Sequence, residues 1–214
     1  MTFKINTYNV ARLSFLSVLI FLLLIRIKLI FSYSVDLDGA EFGFIHYAQL
    51  LLQHKPLYPN PNVFPYLPIL FTPGYPYLIA FLSNLFHFNY NNDIHQILVM
   101  ARTLSFLFLF ANAYFIFKIF KLFKLPFIYF LAAITFYLLL ITGHFFATRP
   151  DALKTTAFTL FLYTVIQYSF FRSRLKYFLL SLFSGWLAVY LKQDAILNIC
   201  LLLLLLCFYL NNIR

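Results

Sequence analysis

Seven runs of apolar residues, separated by short polar stretches, fill most of the chain: 10–31, 66–88, 97–119, 125–146, 152–171, 177–191 and 195–210. Crossing a bilayer as helix takes about 20 residues, and the runs cluster near that length. The second run differs. Pro65, Pro68, Pro73 and Pro76, together with Gly74, interrupt its first half. Unbroken helix is therefore predicted only over about 75–86, too short to span. This segment reads as an interfacial or re-entrant helix packed against protein. The other six runs predict transmembrane helices. Between the first and third runs lies a long connection, 34–96, with a second helical pattern at 41–54. There Phe44, Ile45, Ala48, Leu51 and Leu52 share one face, and His46, Gln49 and Gln53 look away. Such a helix lies along a membrane surface. Pro56, Pro59 and Pro61 break it.

The predicted fold is all-α: a polytopic helical membrane protein of about six transmembrane helices, forming a single membrane domain over 1–214. Its first outer loop, 34–96, contains the interfacial helices. Composition agrees. The chain is 63% hydrophobic and 10% charged, with mean hydropathy +0.86, more apolar surface than one soluble core of this size can bury. Residues 1–33 read as an uncleaved signal anchor, because no small-residue cleavage site follows the first run. Cys200 and Cys207, seven residues apart in one helical run, are about 10 Å apart in rise and too far for a disulfide.

The net charge of +10 is spread in small groups between apolar runs, a topology signal rather than a nucleic-acid footprint. If all seven runs crossed, Lys118, Lys121 and Lys124 would share a side with the acidic hexapeptide 36–41, opposite Lys4 and Arg12. Six crossings sort the charges. Lys4, Arg12, Lys118, Lys121, Lys124, Arg172, Arg174, Lys176 and Arg214 fall inside. Lys55, Arg149, Lys154 and Lys192 fall outside, with Arg26, Lys28 and Arg102 near outer span ends. All six acids, Asp36, Asp38, Glu41, Asp93, Asp151 and Asp194, fall on the outer face.

Three constellations carry possible chemistry. Asp36, Asp38 and Glu41 follow the first span, where carboxylates are costly and mark functional sites. Asp38 and Glu41 also have capping-box spacing. The helical wheel puts Glu41 on the apolar side of its helix, where desolvation raises a carboxyl pKa and suits it to be a general base. Next comes Thr148-Arg149-Pro150-Asp151. It reads as a helix start, with Thr148 capping and Asp151 at the third helical position, and Arg149 adds a planar phosphate clamp. Finally, Lys192-Gln193-Asp194 ends the fifth span, where a lysine commonly snorkels to the interface. The five histidines show no metal-ligand spacing, and no phosphate loop, nucleophile elbow or CxxC pair occurs.

These motifs, with "HYAQLLLQHKPLY" (46–58), "PYLPILFTPGYPYLIAFLSNLF" (65–86), "ARTLSFLF" (101–108), "TRPDAL" (148–153) and "LKQDAIL" (191–197), follow one another in a telling order. In that order the chain resembles the N-terminal module of GT-C glycosyltransferases, the protein O-mannosyltransferase and aminoarabinose transferase-like branches included. The resemblance implies transfer of a sugar from a polyprenyl-phosphate donor to an acceptor, still undefined, at the outer membrane face. It implies that an acid of the first outer loop is the catalytic base or the group that orients the acceptor. Glu41 matches by its distance to the 46–58 segment. The family often has Asp immediately before that Glu, where this chain has Ala40, so Asp38 stands in. By the same match Arg149 and Asp151 lie near the donor phosphate and Lys192 faces the same cavity; Asp36 is a further candidate for substrate binding. Family members run to several hundred residues, so the resemblance covers their N-terminal part. No cofactor is implied, although acids near a phosphate could hold a divalent ion. Membrane lipid is the expected surrounding, and a bacterial plasma membrane is expected over endoplasmic reticulum. A transporter or channel subunit and a non-catalytic truncated membrane protein are the alternatives. A conduction path would need polar residues inside the spans, which hold mainly Ser105, Asn112 and Thr135 and their like.

Overall fold

The computed structural model describes residues 7–32, 41–57, 73–140, 150–171 and 174–212. Among these, eight α-helices and no strand occur: α1 Thr7–Ile30, α2 Glu41–Leu52, α3 Gly74–Leu85, α4 Tyr90–Leu122, α5 Phe127–Leu140, α6 Asp151–Ile166, α7 Leu175–Leu191 and α8 Ala195–Asn212. A π-helical turn, Gln167–Phe171, carries α6 onward. The six longer helices occupy the six runs expected to be helical. The broken run yields the 12-residue α3, in which Pro76 sits harmlessly in the first turn, where no intrahelical donor is needed.

Contacts at the helix ends establish how the long helices run. The Arg12 guanidinium lies 5.6 Å from the centre of the Phe127 ring, joining the starts of α1 and α5. Arg26 Nη2 donates to the Leu138 carbonyl at 2.6 Å, joining their ends. Phe117 and Phe127 bring the end of α4 to the start of α5. Phe123 meets Phe171 beyond the end of α6. Lys192 reaches Asp151, so the end of α7 lies beside the start of α6. The long helices therefore alternate in direction. One end of the bundle gathers Arg12, Lys118, Lys121, Lys124, Arg174 and Lys176; the other gathers Glu41, Asp93, Asp151 and Asp194.

The main core lies at the acidic end. Phe44, Ile45 and Ala48 of α2 and Tyr75, Ile79 and Ala80 of α3 pack on Ile97, Leu98 and Ala101 of α4, with Ala152 and Leu153 of α6, Ala188 and Leu191 of α7, and Ala195 of α8. This is the α2 face that the periodicity predicts, and His46 and Gln53 are exposed as expected. A smaller core joins Leu109 of α4 to Ile134 and Leu138 of α5, with Leu19, Leu22 and Leu23 of α1 packed on it, and many other apolar side chains face outward. In α1 only Arg26 and Ile30 are buried, while Leu13, Phe21 and Leu24 are exposed, as are Leu197, Leu201 and Phe208 of α8. Exposed apolar surface of that extent belongs against lipid or protein. Thr7–Ile30 and Asn92–Leu122 are long and apolar enough to cross a membrane. The hydroxyls of Ser14 and Ser17 on α1 bond back to the carbonyls of Val10 and Leu13, which satisfies them without water.

Two boundaries correct the sequence reading. The helix of the third run is preceded by a short helical turn from Tyr90, kinked at Asp93, inside the stretch assigned to the outer loop. Asp93, which has non-helical backbone angles, takes a hydrogen bond from the Asn89 amide at 2.8 Å, and this polar first turn has no hydropathy signal. In α6, Pro150 is the N-cap and Asp151 the first helical residue, not the third. Thr148, the expected cap, lies outside the described residues.

Helices α2, α3 and α4 end alike. His54, His87 and Lys124 take positive φ, and the amides of Lys55, Phe88 and Leu125 reach back five residues to the carbonyls of Leu50, Ser83 and Phe120. A different constraint fixes the start of α3. A Cβ on Gly74 would sit 2.7 Å from the Tyr190 carbonyl oxygen and against its ring, so α3 meets α7 backbone to backbone. Gly74→Ala is expected to destabilise the protein by about 1–3 kcal/mol through forced separation of the two helices. Gly43→Ala in α2, where a Cβ meets nothing within 4 Å, is expected to stabilise it by up to about 1 kcal/mol. Thermal unfolding in detergent checks both; equal effects would contradict the close approach.

Candidate functional site

Two charge clusters stand at the acidic end of the bundle. The first is built by Glu41, in the first turn of α2, and Arg102, three turns into α4. Both side chains are 0% exposed. Arg102 Nε donates to Glu41 Oε1 at 2.9 Å and Nη2 to Oε2 at 2.5 Å, the bidentate fork that a planar guanidinium makes with a carboxylate. Its Nη1 donates to the carbonyls of Leu29 and Ser32, at and just beyond the end of α1. The last carbonyls of a helix have no intrahelical partner and carry partial negative charge. One guanidinium thus satisfies the end of α1 and the acid at the start of α2.

The second cluster joins α6 to the α7–α8 turn. Lys192 Nζ lies 2.7 Å from Asp151 Oδ1, and Lys154 Nζ lies 3.0 Å from Asp194 Oδ2. The cross pairs, Lys154 with Asp151 and Lys192 with Asp194, are each 3.9 Å apart. Two lysines and two carboxylates therefore alternate around one patch. Asp151 is the most enclosed and Asp194 the most open. The position of Asp151 at the start of α6 also places its negative charge on the positive end of that helix. Below this patch an apolar groove of about 490 Å³ opens between α3, α4, α6 and α7, lined among others by Tyr77, Phe81, Phe108, Leu160 and Leu187.

The structure thus brings Asp151 and Lys192 into direct contact and buries Glu41. Asp36, Asp38 and Arg149 lie outside the described residues. The wheel rightly puts Glu41 on the buried face, and burial there brings it onto Arg102. Both oxygens accept from the guanidinium and neither is exposed, the geometry of an anchor. Sequence reading missed the roles of Arg102 and Lys154. It placed both residues at the outer side, and nothing in either neighbourhood signals a partner 61 or 40 positions away. Among the described residues, no group of three or more His, Cys, Asp or Glu could hold a metal ion.

Fold and clusters together define a class: an all-helical protein, with two helices long and apolar enough to cross a membrane, that collects its described acids at one end. Scanned against family models, curated proteins and solved structures, the chain matches none.

Removing one partner of a buried ion pair strands the other charge. Glu41→Ala and Arg102→Ala are each expected to cost about 3–5 kcal/mol of stability. Asp194→Ala, at the open side of the second cluster, is expected to cost at most about 1 kcal/mol. Unfolding monitored by tryptophan fluorescence, through Trp186, separates the two cases. Comparable losses at Glu41 and Asp194 would show that burial does not govern them.

Proposed function

We propose that the chain is a six-span membrane protein and the N-terminal module of a GT-C-type glycosyltransferase, acting on a polyprenyl-phosphate-linked sugar at its outer face. One observation carries the reading. Residues from three distant segments, the start of α2, the start of α6 and the α7–α8 turn, meet at one end of an alternating bundle, the end that holds all four described acids. That charge partition supports six crossings with the basic end inside. The resemblance in motif order supports the activity, and a bacterial plasma membrane suits it.

In this reading the donor lipid lies in the membrane with its phosphate at the outer surface. Breaking the bond between anomeric carbon and phosphate leaves negative charge on the departing group. Lys192 and Arg149 stabilise that charge as it develops. An acid of the first outer loop takes the proton from the acceptor hydroxyl. Because Glu41 is committed to Arg102, that role falls to Asp38, with Asp36 and Asp151 as substrate-binding groups.

Reconstituted in proteoliposomes with a polyprenyl-phosphate sugar, the wild-type chain, or a longer protein containing it, is expected to transfer the sugar. Asp38→Asn is expected to lower turnover by about 10²–10⁴-fold. Lys192→Ala is expected to lower kcat about tenfold, equivalent to about 1.4 kcal/mol of transition-state stabilisation. Full turnover by Asp38→Asn sinks the assignment of the base. Single cysteines at Gln53 and Lys121, with Cys200 and Cys207 replaced by Ala, test the topology. Labelling of both from the same side of a sealed vesicle would contradict six crossings.

A further inference from the structure

We infer, resting on the reading of the chain as membrane-spanning, that the basic end of the bundle is a docking surface for the anionic headgroups of the surrounding phospholipid leaflet. Nothing in this depends on sugar transfer. Among the described residues, six cations gather at that end from three helices. Arg12 lies near the start of α1, Lys118, Lys121 and Lys124 at or just beyond the end of α4, and Arg174 and Lys176 at the start of α7. All four described acids stand at the opposite end, so no described carboxylate pairs with any of the six. Lys154 and Lys192 differ in this respect, being matched by Asp194 and Asp151.

The partners of these cations are aromatic instead. The Arg12 guanidinium lies 5.6 Å from the centre of the Phe127 ring, Lys118 Nζ 5.1 Å from that of Tyr114 and Lys176 Nζ 5.0 Å from that of Tyr177. A ring face attracts a cation through its quadrupole but carries no net charge, so the positive charge remains unneutralised. Helix ends do not balance it either. The end of α4 offers about half a negative charge to its three lysines. At α7 the sign is wrong: Arg174 is the N-cap and Lys176 lies in the first turn, beside the positive end of that helix. The counter-charge therefore comes from outside the described chain.

The neighbours of the cations identify its source. Phe123 stands between Lys121 and Lys124 in sequence, and Leu175 between Arg174 and Lys176; both apolar side chains are more than half exposed. Phe127, Tyr129 and Phe171 are exposed at the same end. Phe123 meets Phe171 with ring centres 6.1 Å apart, so apolar surface continues from α4 to the turn that precedes α7. A soluble polyanion would cover the cations and leave these rings in water. A lipid leaflet takes both, acyl chains against the rings and phosphates against the cations, because long basic side chains reach from an apolar boundary to the headgroups.

The experiment uses the full chain reconstituted in phosphatidylcholine vesicles, with spin-labelled phosphatidylglycerol and spin-labelled phosphatidylcholine as probes of the lipid in contact with it. The motionally restricted fraction is expected to favour phosphatidylglycerol by at least about fivefold. Raising NaCl from about 0.05 M to about 0.5 M is expected to at least about halve that preference by screening. Lys121→Gln with Lys124→Gln is expected to lower it, and the further changes Arg174→Gln and Lys176→Gln to bring it below about twofold. Lys28→Gln with Lys55→Gln, at the other end, is expected to leave it unchanged. Equal restriction of the two lipids by the wild-type chain overturns the assignment, as does a preference that survives high salt. So does one that is lost in the Lys28 and Lys55 variant and kept in the fourfold variant. The salt series uses the native sequence, so it decides even where the fourfold variant fails to fold. Thermal stabilisation of the detergent-solubilised chain by inorganic phosphate, to the extent that phosphatidylglycerol gives, would assign the surface to a soluble anion and overturn the lipid. Release of the chain from vesicles by alkaline carbonate defeats the membrane-spanning reading itself, whereas retention without lipid preference defeats the docking surface alone.

Discussion

The fork between Arg102 and Glu41 is the interaction around which the acidic end is organised. Burying two charges is expensive, and a matched apolar pair of the same volume commonly stabilises a fold as well or better. Its presence therefore calls for an account in terms of geometry. Arg102 faces a carboxylate on one edge and two helix-terminal carbonyls on the other, so little of its charge or donor capacity is left over. With nearly every donor engaged, the guanidinium can satisfy this neighbourhood in one arrangement only. The apolar core beside it, from Phe44 to Ala195, then packs around a fixed frame.

A second arginine repeats the device on the other side of α1. Arg26 is buried and donates to the Leu138 carbonyl in the last turn of α5. Close by, Asn112 of α4 donates to the Tyr137 hydroxyl of α5 at 2.8 Å. Where little water can reach, the free carbonyls at a helix end need donors from the protein. Helix α1 is mostly exposed and contributes little to the core, yet it gives one arginine to α5 and receives another from α4. Polar contacts at its end add to the apolar packing of Leu19, Leu22 and Leu23 against α4 and α5. This suits a helix lying in lipid, because lipid competes for apolar surface and not for these hydrogen bonds.

Much of this architecture was legible in the sequence. Run length and proline placement located the long helices and the broken short one, and periodicity identified the buried face of α2. The reason is physical: apolar periodicity is a local property, and these helices obey it. Pairing across the fold is not local. Glu41 could be placed on a buried face, but what waited there depended on how α4 approached, and Arg102 looked like one more basic residue near a span end. Lys154 and Asp194 were assigned to the same side without any sign that they touch. The start of α4 was hidden for another reason. Asn89, Asn92 and Asp93 form a polar first turn whose stability comes from a capping bond, which hydropathy does not register.

The second cluster sets a condition on any anionic ligand. Its two lysines are already matched by two carboxylates, so the patch is close to neutral and offers little long-range attraction. In the transfer reading a phosphate binds by exchange. It must take the place of a carboxylate, and the candidates are unequal. Asp151 is held at 2.7 Å by Lys192 and enclosed at the start of α6, whereas Asp194 is half exposed and lies on a turn. Releasing Asp194 returns it to water at little cost, and frees Lys154 while leaving Lys192 oriented by Asp151. Discrimination follows from the same exchange. A neutral headgroup cannot repay even the loss of Asp194, while a phosphate with more than one acceptor oxygen can engage Lys154 and Lys192 together. The apolar groove beneath would then favour an anion that carries a long hydrocarbon chain over one free in solution.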